Sequence, residues 1–123
     1  MNINKLKEAI EIVKADLGSS LLATDIFTIS EGLSIAGYNE NPAACALFNE
    51  VTISMMKSLD GAKFPGLNQY YLLNLQGGHL VLVLYLIDYQ WGFLIDSNKV
   101  KLGLLLSIVI PKAKEAFIDA LES

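Results

Sequence analysis

The stretch DIFTISEGLSIAGYNENP, residues 25–42, decides the fold of this chain. Apolar and β-branched residues lead into a turn at residues 30–32, and residues 33–38 then alternate in polarity, which predicts two antiparallel strands. Asn41 suits a helix cap and Pro42 suits the first helical position. The stretch therefore predicts a hairpin that leads directly into a helix.

The same patterns extend over the rest of the chain and predict an α+β fold. The predicted elements are a helix at 3–17, strands at 21–29 and 33–38, a helix at 42–59, strands at 67–75, 80–87 and 91–95, and a helix from Ser97 or Asn98 to Leu121. The order α-β-β-α-β-β-β-α predicts a five-stranded antiparallel sheet sandwiched by helices, in a single domain that spans residues 1–123. Pro111 is expected to kink or split the last helix.

The composition of the chain limits the kinds of partner that the protein is expected to bind. The formal net charge is −4, and all nine basic residues are lysines. These lysines are scattered among acidic residues, so we expect no nucleic-acid partner. The hydrophobic content of 53% is high for so short a chain, which favours burial of surplus apolar surface in a homodimer.

The N-terminal residues do not form a continuous apolar core of the kind found in a signal peptide. The longest apolar runs, at residues 80–87 and 102–110, are shorter than the ~20 residues of a membrane-spanning helix. Cys45 is the single cysteine, which fits a reducing compartment. We therefore expect a cytoplasmic protein without membrane insertion.

The residues that could carry chemistry are few, and no enzyme or cofactor is predicted from them. His79 is the single histidine and no cluster at metal-ligand spacing surrounds it, so a role at a strand end is favoured over a metal site. Cys45 lacks the local sequence of a catalytic nucleophile. Asp25 and Glu31 flank the hairpin turn and are interpreted as turn residues.

The second helix carries apolar residues on two sides. Its core stripe is predicted to be Ala44, Leu47, Phe48, Val51, Met55 and Leu59. The opposite side carries Ala46, Asn49, Ile53 and Met56, where a solvated helix would carry charge. On the third strand, Tyr70 and Tyr71 should point to opposite faces, one packed and one exposed. We predict a dimer or partner interface formed by Ala46, Asn49, Ile53, Met56, Tyr70, Tyr71 and Leu72.

Three stretches resemble the roadblock / dynein light-chain family. They are DIFTISEGLSIAGYN, whose GLSIA follows the turn, the helix NPAACALFNEVTISMMKSL, and WGFLIDSNKVKLGLLLSIVIPKAKEAF with its LGLL start. The resemblance covers nearly the whole chain. Pro111 and the absence of arginine from the last helix depart from the family pattern.

The resemblance implies a roadblock- or profilin-like fold of the bacterial or archaeal small-GTPase regulator type. It also implies dimers in which second helices lie side by side and third strands join into one sheet. It further implies a non-catalytic regulator or scaffold that binds a Ras-like small GTPase and modulates its nucleotide cycle. An arginine finger accelerates GTP hydrolysis by about 10³–10⁵, and this arginine-free chain cannot supply one.

Two other functions stay open at the level of sequence. One is a small-molecule sensor in which Phe27, Trp91 and Phe93 line a pocket of about 300 Å³ or more. The other is a structural adaptor subunit with no effect on any enzyme.

Overall fold

The computed structural model describes residues 1–86 and 88–123. In chain order its elements are α1 (Ile3–Leu17), β1 (Leu21–Thr28), β2 (Ser34–Tyr38), α2 (Pro42–Gly61), β3 (Tyr70–Leu75), β4 (His79–Leu86), β5 (Tyr89–Asp96), α3 (Leu102–Leu104), a π-helical turn (Leu105–Val109) and α4 (Ile110–Glu122). The predicted α+β class is confirmed. The predicted strand end at Ile87 lies outside the described residues.

The strands form one antiparallel sheet with the order β2-β1-β5-β4-β3. The last strand in sequence, β5, therefore lies at the centre, and β2 and β3 form the two edges. At the turn between β1 and β2, Gly32 has a φ of +67° and its N–H donates to the carbonyl of Thr28. A glycine adopts this backbone conformation without strain.

The larger core lies between the sheet and the helices α1 and α4. Trp91 and Phe93 of β5 and Phe117 of α4 are fully buried there, and the Trp91 ring contacts both phenylalanine rings. The indole Nε1 of Trp91 donates to Oγ1 of Thr24 at 2.7 Å, so its polar atom is satisfied inside the core. Alternate residues of the central strands supply the rest of this core.

The final helix differs from its predicted form at its start. It begins at Leu102 rather than at residue 97 or 98, because Asp96 accepts hydrogen bonds from the N–H groups of Asn98 and Lys99 and holds a turn there. Pro111 was expected to kink or split this helix. The backbone stays helical from Leu102 to Glu122, and the departure from a regular α-helix is the π-helical turn, which ends two residues before Pro111.

Two strand boundaries were also predicted incorrectly. β3 begins at Tyr70 instead of residue 67. Gln90, which was assigned to a turn, belongs to β5 and is fully buried. This second difference matters, because Gln90 holds α2 in place.

Candidate partner-binding site on α2 and β3

The face of the sheet opposite α1 and α4 is covered by α2. The N-terminal end of α2 lies against Asp25 of β1, and its middle reaches Tyr71 of β3. The helix therefore crosses the sheet from the β1 side to the β3 side. Its second half lies toward the β3 edge, where Met55 packs near Tyr71 and Leu73.

Asp25 was interpreted as a turn residue, but it lies within β1 and is buried. Its carboxylate fixes the start of α2. Its Oδ2 accepts from the backbone N–H of Asn41 at 3.1 Å, and its Oδ1 accepts from Oγ of Ser34 at 2.8 Å. Asn41 is the helix cap, as predicted, and accepts from the N–H of Ala44. A Cβ on Gly37 would lie 2.6 Å from the carbonyl oxygen of Thr24 and 2.8 Å from Oδ1 of Asp25. Only glycine fits at this point of β2.

A chain of four buried polar side chains holds the middle of α2. Thr52 Oγ1 is hydrogen-bonded to Gln90 Oε1 and lies 2.7 Å from the hydroxyl of Tyr71, and Nε2 of Gln90 donates to Oδ1 of Asn49 at 2.9 Å. The threonine hydroxyl has one proton and two neighbours that can only accept, Gln90 Oε1 and the carbonyl oxygen of Phe48 at 2.9 Å. Because the contact with Gln90 is the shorter one, Thr52 donates to Gln90, and Tyr71 therefore donates to Thr52. We call this set, Tyr71, Thr52, Gln90 and Asn49, the polar chain.

The buried stripe of α2 differs from the predicted one. Its buried residues are Cys45, Asn49 and Thr52, whereas Leu47, which was assigned to the core, is 56% exposed. Polar residues occupy the stripe because Gln90 and Tyr71 offer them partners inside the protein. A pattern of apolar residues alone could not reveal this.

The predicted interface residues of α2 are separated by this arrangement. Asn49 is 7% exposed and belongs to the interior of the protomer. Ala46 is exposed, but it lies beside Gly32 at the turn between β1 and β2. This turn is near the β2 edge of the sheet, far from the β3 edge. Ile53 and Met56 are half-buried and lie on the second half of the helix, toward β3.

On β3, Tyr70 is exposed, Tyr71 is buried and Leu72 is half-buried. One tyrosine is therefore packed and the other exposed, as predicted. The six residues of β3, YYLLNL, contain no charge and no proline. Edge strands that stay unpaired usually carry such protection against association. The β2 edge is only five residues long and has an irregular register near Phe27, so β3 is the edge better suited to pairing.

A cavity of about 80 Å³ lies between α2 and the sheet, with Phe27, Phe48 and Cys45 among its lining residues. Burial, and then the charge of Asp25, raise the pKa of the Cys45 thiol from 9.0 to about 12. The nucleophilic thiolate is thus disfavoured at neutral pH. The rings of Trp91 and Phe93 pack together in the larger core on the other face of the sheet, so Phe27 is the predicted pocket residue whose ring faces this cavity.

Within residues 1–86 and 88–123, no group of three histidine, cysteine, aspartate or glutamate side chains could hold a metal ion. His79 is at the start of β4, and its Nδ1 lies 3.2 Å from the carbonyl oxygen of Gln76. No helix in the described part of the chain is long and apolar enough to cross a membrane.

No protein-family model matches the sequence, and no curated protein sequence matches it either. Solved structures do resemble it. MglB of Myxococcus xanthus is similar over 98% of this chain and 90% of that one, with a TM-score of 0.83 and 11% identity. A structure described as MglB with a tetrameric arrangement is similar over 97% and 89%, with a TM-score of 0.76 and 12% identity.

A Roadblock/LC7 domain from Streptomyces avermitilis is also similar, over 94% of both chains, with a TM-score of 0.68 and 9% identity. The chain thus has the fold of roadblock/LC7 domains. Among the solved structures with this fold is the gliding protein MglB. The resemblance found in the sequence is confirmed for the fold.

Proposed function

We propose that this chain is a non-catalytic, homodimeric regulator or scaffold that binds a Ras-like small GTPase and modulates its nucleotide cycle. The observation that carries the proposal is the likeness to roadblock/LC7 and MglB structures over nearly the whole chain. It agrees with the independent resemblance of three sequence stretches to the roadblock family. Cytoplasmic localisation is part of the same proposal.

The uncharged β3 edge supports the homodimer. Two copies that pair these edges would form one continuous antiparallel sheet, with the second half of each α2 beside the other. Ile53 and Met56 on α2 and Tyr70 on β3 would then lie in or near the contact. Pairing would satisfy the free backbone groups of β3 and bury apolar side chains from α2.

Regulation would not use a catalytic side chain of this protein, because the chain has no arginine. The regulator would instead bind one nucleotide state of the GTPase more tightly than the other. Such differential affinity shifts the conformational equilibrium of the switch segments of the GTPase. The expected effect is a change in the rate of hydrolysis or nucleotide exchange, with the catalytic residues supplied by the GTPase.

The dimer is tested by light scattering on the purified chain and on Ile53→Lys/Met56→Glu. This double variant places two charges at the proposed contact without changing the net charge. Ala43→Glu/Leu47→Lys is the matched control, because both positions are exposed on the first half of α2. We expect the first variant to be monomeric and the control to be dimeric. A dimeric first variant would place the interface elsewhere.

The partner is tested with a Ras-like GTPase from the same genome, loaded with GDP or with a non-hydrolysable GTP analogue. We expect co-elution in one nucleotide state and a changed rate of hydrolysis or exchange. Absence of binding in both states would refute the proposal. Binding with unchanged rates would identify a structural adaptor instead. A small-molecule sensor with its pocket at Phe27, Trp91 and Phe93 is not favoured, since the cavity beside Phe27 has a volume of about 80 Å³, well below the ~300 Å³ of usual ligand pockets.

A further inference from the structure

The start of the final helix carries an exposed apolar patch on the face of the sheet opposite α2. Leu102, Leu104 and Ile108 are 52%, 43% and 53% exposed, and we call them the Leu102 patch. Neighbouring residues of the same helix, Leu105 and Val109, are buried in the core. Leu104 and Ile108 lie four residues apart and share the outward side of this packed helix, whereas Leu102, two residues before Leu104, points to a different side at the helix start.

The stretch of chain that carries the Leu102 patch has only positive charges. Residues 97–114 contain Lys99, Lys101, Lys112 and Lys114 and no acidic residue. The other 105 residues contain five lysines and all 13 acidic residues, so the lysines are less evenly distributed than the sequence analysis assumed. Lys112 pairs with Asp16 at 3.1 Å. Lys99 and Lys101 are exposed beside the patch.

We propose that this face binds the surface of an anionic lipid bilayer. Leu104 and Ile108 would enter the boundary between headgroups and acyl chains, and Lys99 and Lys101 would contact lipid phosphates. Apolar side chains bordered by lysines are typical of segments that lie in a membrane interface. The positive charge of this segment, in an otherwise acidic chain, selects an anionic surface.

A bilayer fits this face better than a single acidic helix of a partner protein. Leu104 and Ile108 keep more than two fifths of their surface exposed and project outward, whereas Leu102 borders a groove with Leu72 and Val100. A flat, deformable surface can contact Leu104 and Ile108 at once. A docked helix would instead need a groove to bury its own apolar side.

The homodimer proposed above would strengthen binding to the membrane. Only this strengthening depends on the dimer; the binding of a single copy does not. A two-fold axis that continues an antiparallel sheet is perpendicular to the sheet, so it keeps equivalent helices on the same face. Both Leu102 patches would then face one membrane, and both α2 helices would face away from it. Two linked weak contacts bind a surface much more tightly than one.

The proposal is tested by co-sedimentation of the chain alone with vesicles of phosphatidylcholine, or of phosphatidylcholine mixed with phosphatidylglycerol. We expect binding to the mixed vesicles that weakens at high salt. In Lys99→Gln/Lys101→Gln, the partition coefficient should fall about 25-fold, at about five-fold per lysine. Lys7→Gln/Lys63→Gln is the charge-matched control and should bind like the unmodified chain.

The apolar contribution is tested in the same way with Leu104→Ser/Ile108→Ser. We expect weaker binding to the mixed vesicles, with Leu33→Ser/Leu47→Ser as a control that removes equally exposed leucines elsewhere. Circular dichroism and Trp91 fluorescence establish that each variant is folded. Neither measurement involves a GTPase, so the result is independent of the proposed regulatory function.

Three outcomes would overturn the proposal. The first is no binding to neutral or to anionic vesicles, which would favour an acidic helix of a partner protein as the ligand of this face. The second is equal binding to neutral and anionic vesicles. The third is a loss of binding in the control variants as large as that in the patch variants.

Discussion

The hydroxyl of Tyr71 lies 2.7 Å from Oγ1 of Thr52, and this contact joins the edge strand β3 to the helix above it. The Thr52 hydroxyl also donates a hydrogen bond to Gln90 of β5, so this single side chain connects two strands to α2. The geometry predicts that the members of the polar chain differ in their contribution to stability.

Thr52→Val should lower the free energy of unfolding by about 2–3 kcal/mol, because it leaves buried polar atoms of both Gln90 and Tyr71 without their partner. The substituted side chain has nearly the same shape, so packing changes little. Urea unfolding followed by the fluorescence of Trp91, the single tryptophan, measures the difference.

Tyr71→Phe should cost only about 1 kcal/mol. It removes the donor at the end of the polar chain but leaves Thr52 free to donate to Gln90. A loss as large as that of Thr52→Val would contradict the assigned direction of the hydrogen bonds.

Gly37→Ala should destabilise the protein by about 1–3 kcal/mol. The new methyl group would lie 2.6 Å from the carbonyl oxygen of Thr24, which is backbone and cannot easily move. Gly103→Ala is the control, since no atom lies within 4 Å of its added Cβ, and thermal unfolding should show no loss there. Equal stability of the two variants would show that β2 tolerates the displacement.

Stability should fall in alkaline solution through Cys45. Its pKa is 9.0 when unfolded and about 12 when folded, so its contribution is full below pH 9 and is lost as the pH rises toward 12. Chemical denaturation between pH 8 and pH 10 should therefore show a steeper decline in the unmodified chain than in Cys45→Ala. Parallel declines would mean that the thiol is accessible to water.

Charge on the β3 edge should weaken self-association. Tyr70→Lys/Leu75→Lys places two like charges where two copies would pair, and we expect the dimer dissociation constant to rise at least about ten-fold, equivalent to ~1.4 kcal/mol. Sedimentation velocity over a range of concentrations measures this constant. Leu33→Lys/Leu47→Lys adds the same charge away from β3 and should leave it unchanged; a comparable rise in this control would assign the effect to net charge.

Much of the fold could be predicted from the sequence because its signals are local. The Asn41 cap and the turn at Gly32 each depend on the chemistry of one or two residues. The continuous apolar run at residues 80–87 was an equally clear signal for a buried strand, and in β4 Leu80 and Leu82 face one core while Val81 and Val83 face the other.

The candidate site was less predictable because it depends on contacts between distant residues. Asn49 looked like an interface residue since it shares a helical side with Ile53, yet Gln90, 41 residues later, holds it inside. The late start of the final helix likewise depends on Asp96 accepting hydrogen bonds from the residues that follow it. The pattern of apolar residues in a sequence does not predict which polar residues will form buried hydrogen bonds.

The polar chain has a consequence for how α2 responds to its surroundings. Its members are two amides and two hydroxyls, which carry no charge at neutral pH, and burial raises the pKa of Tyr71 further from neutrality. Moderate acidification or a change in ionic strength should therefore not break the hydrogen bonds by which these four side chains hold the helix. The start of α2 is held differently, by the carboxylate of Asp25, but a displacement of the middle of α2 would have to be caused by direct contact with another molecule.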